Sequence, residues 1–103
     1  MKSDLERLAA ATVMNSCASL LREVGADPRL EAMGQEIHDA VIRMVESVNS
    51  SSVDVHDLCN HWDIVKITIE RCYLERDMPV LLEMSVGGVD ESVHSMLLIS
   101  AST

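Results

Sequence analysis

The sequence predicts an all-α fold: a helical bundle of three long amphipathic helices plus one or two short C-terminal helices, folded as one domain over residues 1–103. Three observations carry this expectation. Apolar residues recur at steps of three and four through three long segments, the spacing that lines one face of a helix. The breaks between those segments are brief and polar, which sets neighbouring helices antiparallel. The chain of 103 residues is 48% hydrophobic, enough for one core without disulfides or metals and too short for a second domain.

The first helix starts at Ser3-Asp4-Leu5-Glu6. This is a capping box, in which Ser3 accepts from the amide of Glu6 while the Glu6 side chain reaches back. Leu5, Leu8, Ala9, Val13, Cys17, Leu20, Leu21 and Val24 form its apolar stripe, and Gly25 offers a left-handed stop. Asp27 then serves as an N-cap with Pro28 in the first helical position, where a missing N–H costs nothing. From there Leu30, Met33, Ile37, Val41, Met44 and Val48 make a second stripe that ends at Asn49-Ser50-Ser51-Ser52, a loop signal.

The third segment, about Asp54 to Asp77, carries two apolar lines. Val55, Leu58, Trp62, Val65, Ile69 and Cys72 follow the seam spacing of a helix packed on a partner helix. Ile64, Ile67 and Leu74 form a second line that shares a face with Asn60 and Arg71. The run Ile64-Val65-Lys66-Ile67-Thr68-Ile69 is rich in β-branched residues and reads locally as a strand, but the helical period extends beyond twenty residues and favours helix. After Met78-Pro79, Asp77 can cap a short helix through Val80, Leu81, Leu82, Met84 and Val86, which Gly87-Gly88 would break. Asp90-Glu91 can open a last helix carrying Val93, Met96, Leu97 and Ile99 inward.

Composition narrows function by exclusion. With 17 acidic residues against 8 basic ones the formal net charge is −9, and the scattered basic residues make no patch for a phosphate backbone, so no direct nucleic-acid binding is expected. Apolar runs are far shorter than a membrane span requires, and the N-terminus lacks the apolar stretch of a secretory signal. Three cysteines without a Cys-x-x-Cys pair fit reduced thiols. The expected setting is cytoplasmic. The core must be aliphatic, since there is no Phe, one Trp and one Tyr, against seven Met.

Chemistry-bearing clusters are sparse. His56, Cys59 and Asp63 share one helical neighbourhood and could contribute to a transition-metal site, but a fourth ligand is missing and tetrahedral sites use paired Cys and His ligands. Glu91-Ser92-Val93-His94 is a single Glu-x-x-His step, whereas bundle di-iron sites need two of them plus further glutamates. Cys17 and Cys72 fall on helix seams, where burial raises a thiol pKa. The expectation is therefore no catalytic residue, no metal and no cofactor. The acidic field instead favours a basic partner.

The strongest candidate surface is the second line of the third helix. Ile64, Ile67 and Leu74, with the off-stripe Ile42, are expected to meet either this chain's own helices or another protein. Trp62, Arg71 and Tyr73 are the residue types that dominate binding energy at interfaces. These seven residues are the candidate partner interface. In size, charge and helical make-up, and in the two-faced segment from Leu58 to Leu74, the chain resembles small bacterial antiactivators that sequester transcription factors, including those directed against LuxR-type quorum-sensing receptors. That resemblance implies a regulator that blocks its target's dimerisation or DNA binding by occupying a protein surface. A homodimer is expected as well. Two other readings remain open at this point, a secretion or assembly chaperone and a metal- or thiol-dependent enzyme on a helical bundle.

Overall fold

Four α-helices and one 3₁₀ segment build the fold, seen in a computed structural model that describes residues 2–102. Helix α1 spans Asp4–Ala26, a 3₁₀ segment covers Pro28–Met33, and α2 (Gly34–Asn49), α3 (Val55–Arg71) and α4 (Val80–Ser102) follow. No strand occurs among the described residues, so the β-branched run at Ile64–Ile69 is helical. The particle measures 42 × 21 × 19 Å, the proportions of helices packed side by side. Helices α1 and α4 form one closely paired layer and α2 and α3 the other, with α1 against α2 and α3 against α4 closing the bundle.

Local signals place most helix ends. Ser3 Oγ accepts from the Glu6 amide and Glu6 Oε1 from the Ser3 amide, each at 3.2 Å, completing the predicted capping box. Helix α1 does not stop at Gly25, however. It runs through Gly25 to Ala26, and no glycine among the described residues has positive φ. The stop comes from Asp27, extended at φ −101° and ψ 109°, as expected of a residue that precedes proline. Asp27 Oδ1 then accepts from the Arg29 amide at 3.0 Å and the Asp27 carbonyl from the Leu30 amide at 3.1 Å. That three-residue closure winds Pro28–Met33 as 3₁₀ instead of α, so α2 proper begins only at Gly34. Leu30 is nonetheless fully buried, as its stripe predicts.

Asp54 caps α3 through the Asp57 amide at 3.0 Å. The helix ends at Arg71, six residues before the expected Asp77, and unwinds through a turn in which the Cys72 and Tyr73 amides bond the Ile69 and Glu70 carbonyls. The largest departure from expectation lies beyond Pro79. Instead of two short helices broken at Gly87-Gly88, α4 is one helix of 23 residues. Packing explains this. Two mid-helix glycines cost about 2 kcal/mol relative to alanine, but Leu82, Val89, Val93 and Met96 on either side of them are buried against the rest of the bundle, and each fully buried side chain contributes about 1.5–3 kcal/mol.

The core is aliphatic as the composition requires. Val13, Leu20, Leu30, Ile37, Met44, Leu58, Ile69, Leu82 and Met96 are all at most 1% exposed. Lys2 Nζ donates to the Val48 carbonyl at 2.6 Å, bringing a positive charge to the C-terminal end of α2, which has no basic residue of its own in its last turn and where the helix dipole favours a cation.

A Cβ built on Gly87 or Gly88 meets no atom within 4 Å, so alanine fits at both. Gly87→Ala should therefore stabilise the fold by about 1 kcal/mol, read as a higher urea midpoint at unchanged slope. A lower midpoint would mean that α4 is not continuous through this point.

Candidate partner-binding surfaces

The seven residues expected at an interface separate into two groups. Trp62 and Tyr73 belong to the core, 2% and 8% exposed. Trp62 Nε1 donates to Asp90 Oδ1 at 2.8 Å, and Lys66 Nζ donates to the same oxygen at 3.1 Å. Lys66 also stands over the indole, 5.7 Å from its centre, within cation–π range. The indole hydrogen bond first, and the lysine second, hold the Asp90 carboxyl below its ordinary pKa. This cluster ties α3 to α4. Tyr73 donates its hydroxyl to Asp27 Oδ2, which fastens the end of α3 to the turn after α1. Both aromatic residues are thus engaged within the chain and do not stand on an exposed face.

Ile42, Ile64, Ile67, Arg71 and Leu74 do reach the surface. Ile64 and Ile67 are 45% and 48% exposed on the side of α3 away from its buried line of Leu58, Trp62, Val65 and Ile69, with Arg71 one turn further on. Ile42 lies on the outward side of α2. Leu74 is not on the helix but in the turn after it, where with Val80 it lines an open groove of about 730 Å³ between the end of α3 and the start of α4. Helices α2 and α3 are adjacent and antiparallel. Their junction is held by the Asp54 amide on the Ser47 carbonyl at 3.1 Å and by Ser47 Oγ, 2.9 Å from Asp57 Oδ2. At the opposite end Cys72 Sγ lies 3.7 Å from Met33 Sδ. Exposed carboxylates flank the isoleucines, Asp39 and Glu46 about Ile42, Asp63 and Glu70 about Ile67.

A second apolar face was not legible in the sequence. Leu5 and Leu8, expected in the core, are 63% and 67% exposed, and on α4 Leu81 and Met84 are 62% and 67% exposed. All four line the outer seam of the α1–α4 pair, Leu5 and Leu8 with Ile99 at one end and Leu81 and Met84 at the other. The signal was present but weak. At 100° per residue Leu8 stands roughly 150° from the centre of the Val13–Cys17–Leu20–Val24 line. On α4 the assumed break at Gly87-Gly88 hid the face altogether.

The thiols of Cys17 and Cys59 are held in their protonated form. Burial pushes the Cys17 thiol up to about 11, and burial together with the Asp63 carboxylate raises that of Cys59 against a smaller opposing effect of Lys66. Such thiols are weak nucleophiles at neutral pH. His56, Asp63, Glu91 and His94 are exposed and Cys59 is half-buried. No group of three His, Cys, Asp or Glu among the described residues is placed to hold a metal ion. No helix among them is long and apolar enough to cross a membrane. Comparison with protein families, with characterised proteins and with solved structures finds no match for this chain.

Two measurements check this assignment of side chains. Asp90→Ala removes the acceptor of the Trp62 indole and should lower stability by about 1 kcal/mol, with a shift in Trp62 emission. Because the Asp90 pKa is depressed in the folded state, its contribution is complete above the unfolded carboxyl value of about 4 and is lost as pH falls through the lower folded value. The wild-type and Asp90→Ala stability curves should therefore converge in acid. For the thiols, a maleimide reagent at pH 7 should leave Cys17 unmodified while the protein is folded, and label it on unfolding in urea.

Proposed function

We propose that this chain is a regulator that acts by binding another protein, and that the outward face of α2 and α3 receives a basic, apolar helical segment of that partner. The observation that carries the reading is the row of Ile42, Ile64 and Ile67, large apolar side chains at 39–48% exposure set among carboxylates on a chain of net charge −9. Exposed aliphatic rows at helical spacing are the usual anchors of helix-to-helix recognition. Flanking carboxylates select basic partners and speed their encounter. Arg71 and Leu74 extend the row toward the α3–α4 groove.

A transcription factor is a partner of the right chemistry, because the surfaces that contact DNA are basic and an acidic chain seated on one would exclude the nucleic acid. This agrees with the resemblance to antiactivators, and the chain would then work inside the cell alongside its target.

The test is capture from a lysate of the source cells, by the wild type and by Ile67→Glu in parallel. The expected result is a basic protein retained by the wild type, at least tenfold depleted with the variant, released as salt rises from 0.1 to 0.5 M, and displaced from its DNA by the wild-type chain. Equal capture by both forms would contradict the reading, and a partner that keeps its DNA while bound would remove the antiactivator form of it.

A further inference from the structure

The outer seam of α1 and α4 differs in kind from the face just described, and we propose that it is where a second copy of this chain docks, making a symmetric dimer. It lies on the opposite side of the bundle from the α2–α3 face, so the proposal stands whether or not that face binds a partner.

Three features select a second copy. The first is charge. Two chains of net charge −9 repel each other wherever carboxylates meet, and the carboxylates around Ile42 and Ile67 make self-association through α2 and α3 unfavourable. The clefts along the seam carry little net charge, and Glu91, two turns on from Met84, stands at its outer edge. Its middle is Thr12, Ser16, Ser19, Ser85, Gly88 and Ser95, and the only charged residues lining its two clefts, Arg22 and Glu23, are adjacent and cancel. A basic partner gains nothing from such a surface, whereas a like-charged copy avoids the penalty it would meet elsewhere.

The second feature is the distribution of apolar groups. Leu5, Leu8 and Ile99 sit at one end of the antiparallel pair and Leu81 and Met84 at the other, with small side chains between. Because α1 and α4 run antiparallel at equal length, 23 residues each, the face is close to two-fold symmetric about its centre. A copy turned end for end presents apolar ends to apolar ends and small residues to small residues. This is the self-complementarity that a two-fold interface requires.

The third is area. Helices of 23 residues are about 34 Å long, and two side by side are about 20 Å wide, so the face offers roughly 700 Å². A stable interface of standard size buries about 800 Å² from each partner. Docking of a copy would cover the four large apolar side chains this face leaves exposed, Leu5, Leu8, Leu81 and Met84.

Sedimentation of the wild type from 1 to 300 µM should show a monomer–dimer equilibrium, while Leu8→Glu and Met84→Glu should each weaken the dimer at least tenfold. Both positions are about two-thirds exposed, so the helical circular dichroism and the urea midpoint should be retained. Ile67→Glu, on the other face, should dimerise like the wild type. A second readout needs no substitution: peroxide oxidation of Met84 in the wild type should slow at least threefold between the monomer and dimer ranges, with no change at the half-buried Met78, which lies away from the seam. A wild type that stays monomeric to 300 µM, a dimer that survives Leu8→Glu with Met84→Glu, or a dimer lost with Ile67→Glu would each overturn the proposal.

Discussion

The fold depends on α4 staying helical from Val80 to Ser102 along the full length of α1. Neither helix alone buries a core. Together they form one wall, Val13, Cys17 and Leu20 facing Leu82, Val89 and Met96 in the interior, against which the α2–α3 layer closes. Break α4 at its glycines and the hydrophobic side chains beyond them lose their place in the bundle. Asp90, the acceptor of the Trp62 indole, sits just beyond those glycines, so the tie between α3 and α4 also draws on this continuity. The same continuity creates the outer seam, since a broken helix could not lay Leu81 and Ile99 along one face.

Much of the bundle could be read from residue spacing. Stripes such as Leu30–Ile37–Val41–Met44–Val48 and Leu58–Trp62–Val65–Ile69 are buried as their period demands, because helical periodicity is a property of the segment itself. So is the capping box at Ser3 and Glu6. What could not be read depends on neighbours. Gly25 and Gly87-Gly88 looked like stops because glycine has weak helix propensity, a bias of about 1 kcal/mol per residue that tertiary packing overrides. Leu5 and Leu8 looked like core because their spacing is helical, although the line they begin diverges from the buried one within two turns. The 3₁₀ winding at Pro28–Met33 follows from which amides Asp27 captures, a matter of local geometry rather than residue type.

The candidate surface was legible in part for the same reason. Spacing separated Ile64 and Ile67 from the buried line of α3, and they are exposed. Residue type alone placed Trp62 and Tyr73 beside them, and both instead satisfy their polar atoms inside the chain, on Asp90 and Asp27. Large aromatic side chains dominate interfaces because they bury so much area, which is equally a reason for a Phe-free core to use the two it has. The charge pattern then separates the two exposed apolar faces. Isoleucines flanked by Asp39, Glu46, Asp63 and Glu70 on a strongly acidic chain suit a basic partner, and leucines on a seam of low net charge suit a copy of the same acidic chain.

The isoleucine methyl spectrum tests this two-face account most directly, because the chain holds six isoleucines distributed over every environment. Ile37 and Ile69 are fully buried, Ile42, Ile64 and Ile67 stand on the α2–α3 face, and Ile99 is on the α1–α4 seam. The account predicts that the Ile99 methyl moves with protein concentration alone, and that Ile64 and Ile67, with Ile42, move only when the captured partner is added. Partner-induced shifts confined to Ile99, with Ile64 and Ile67 unmoved, would contradict it.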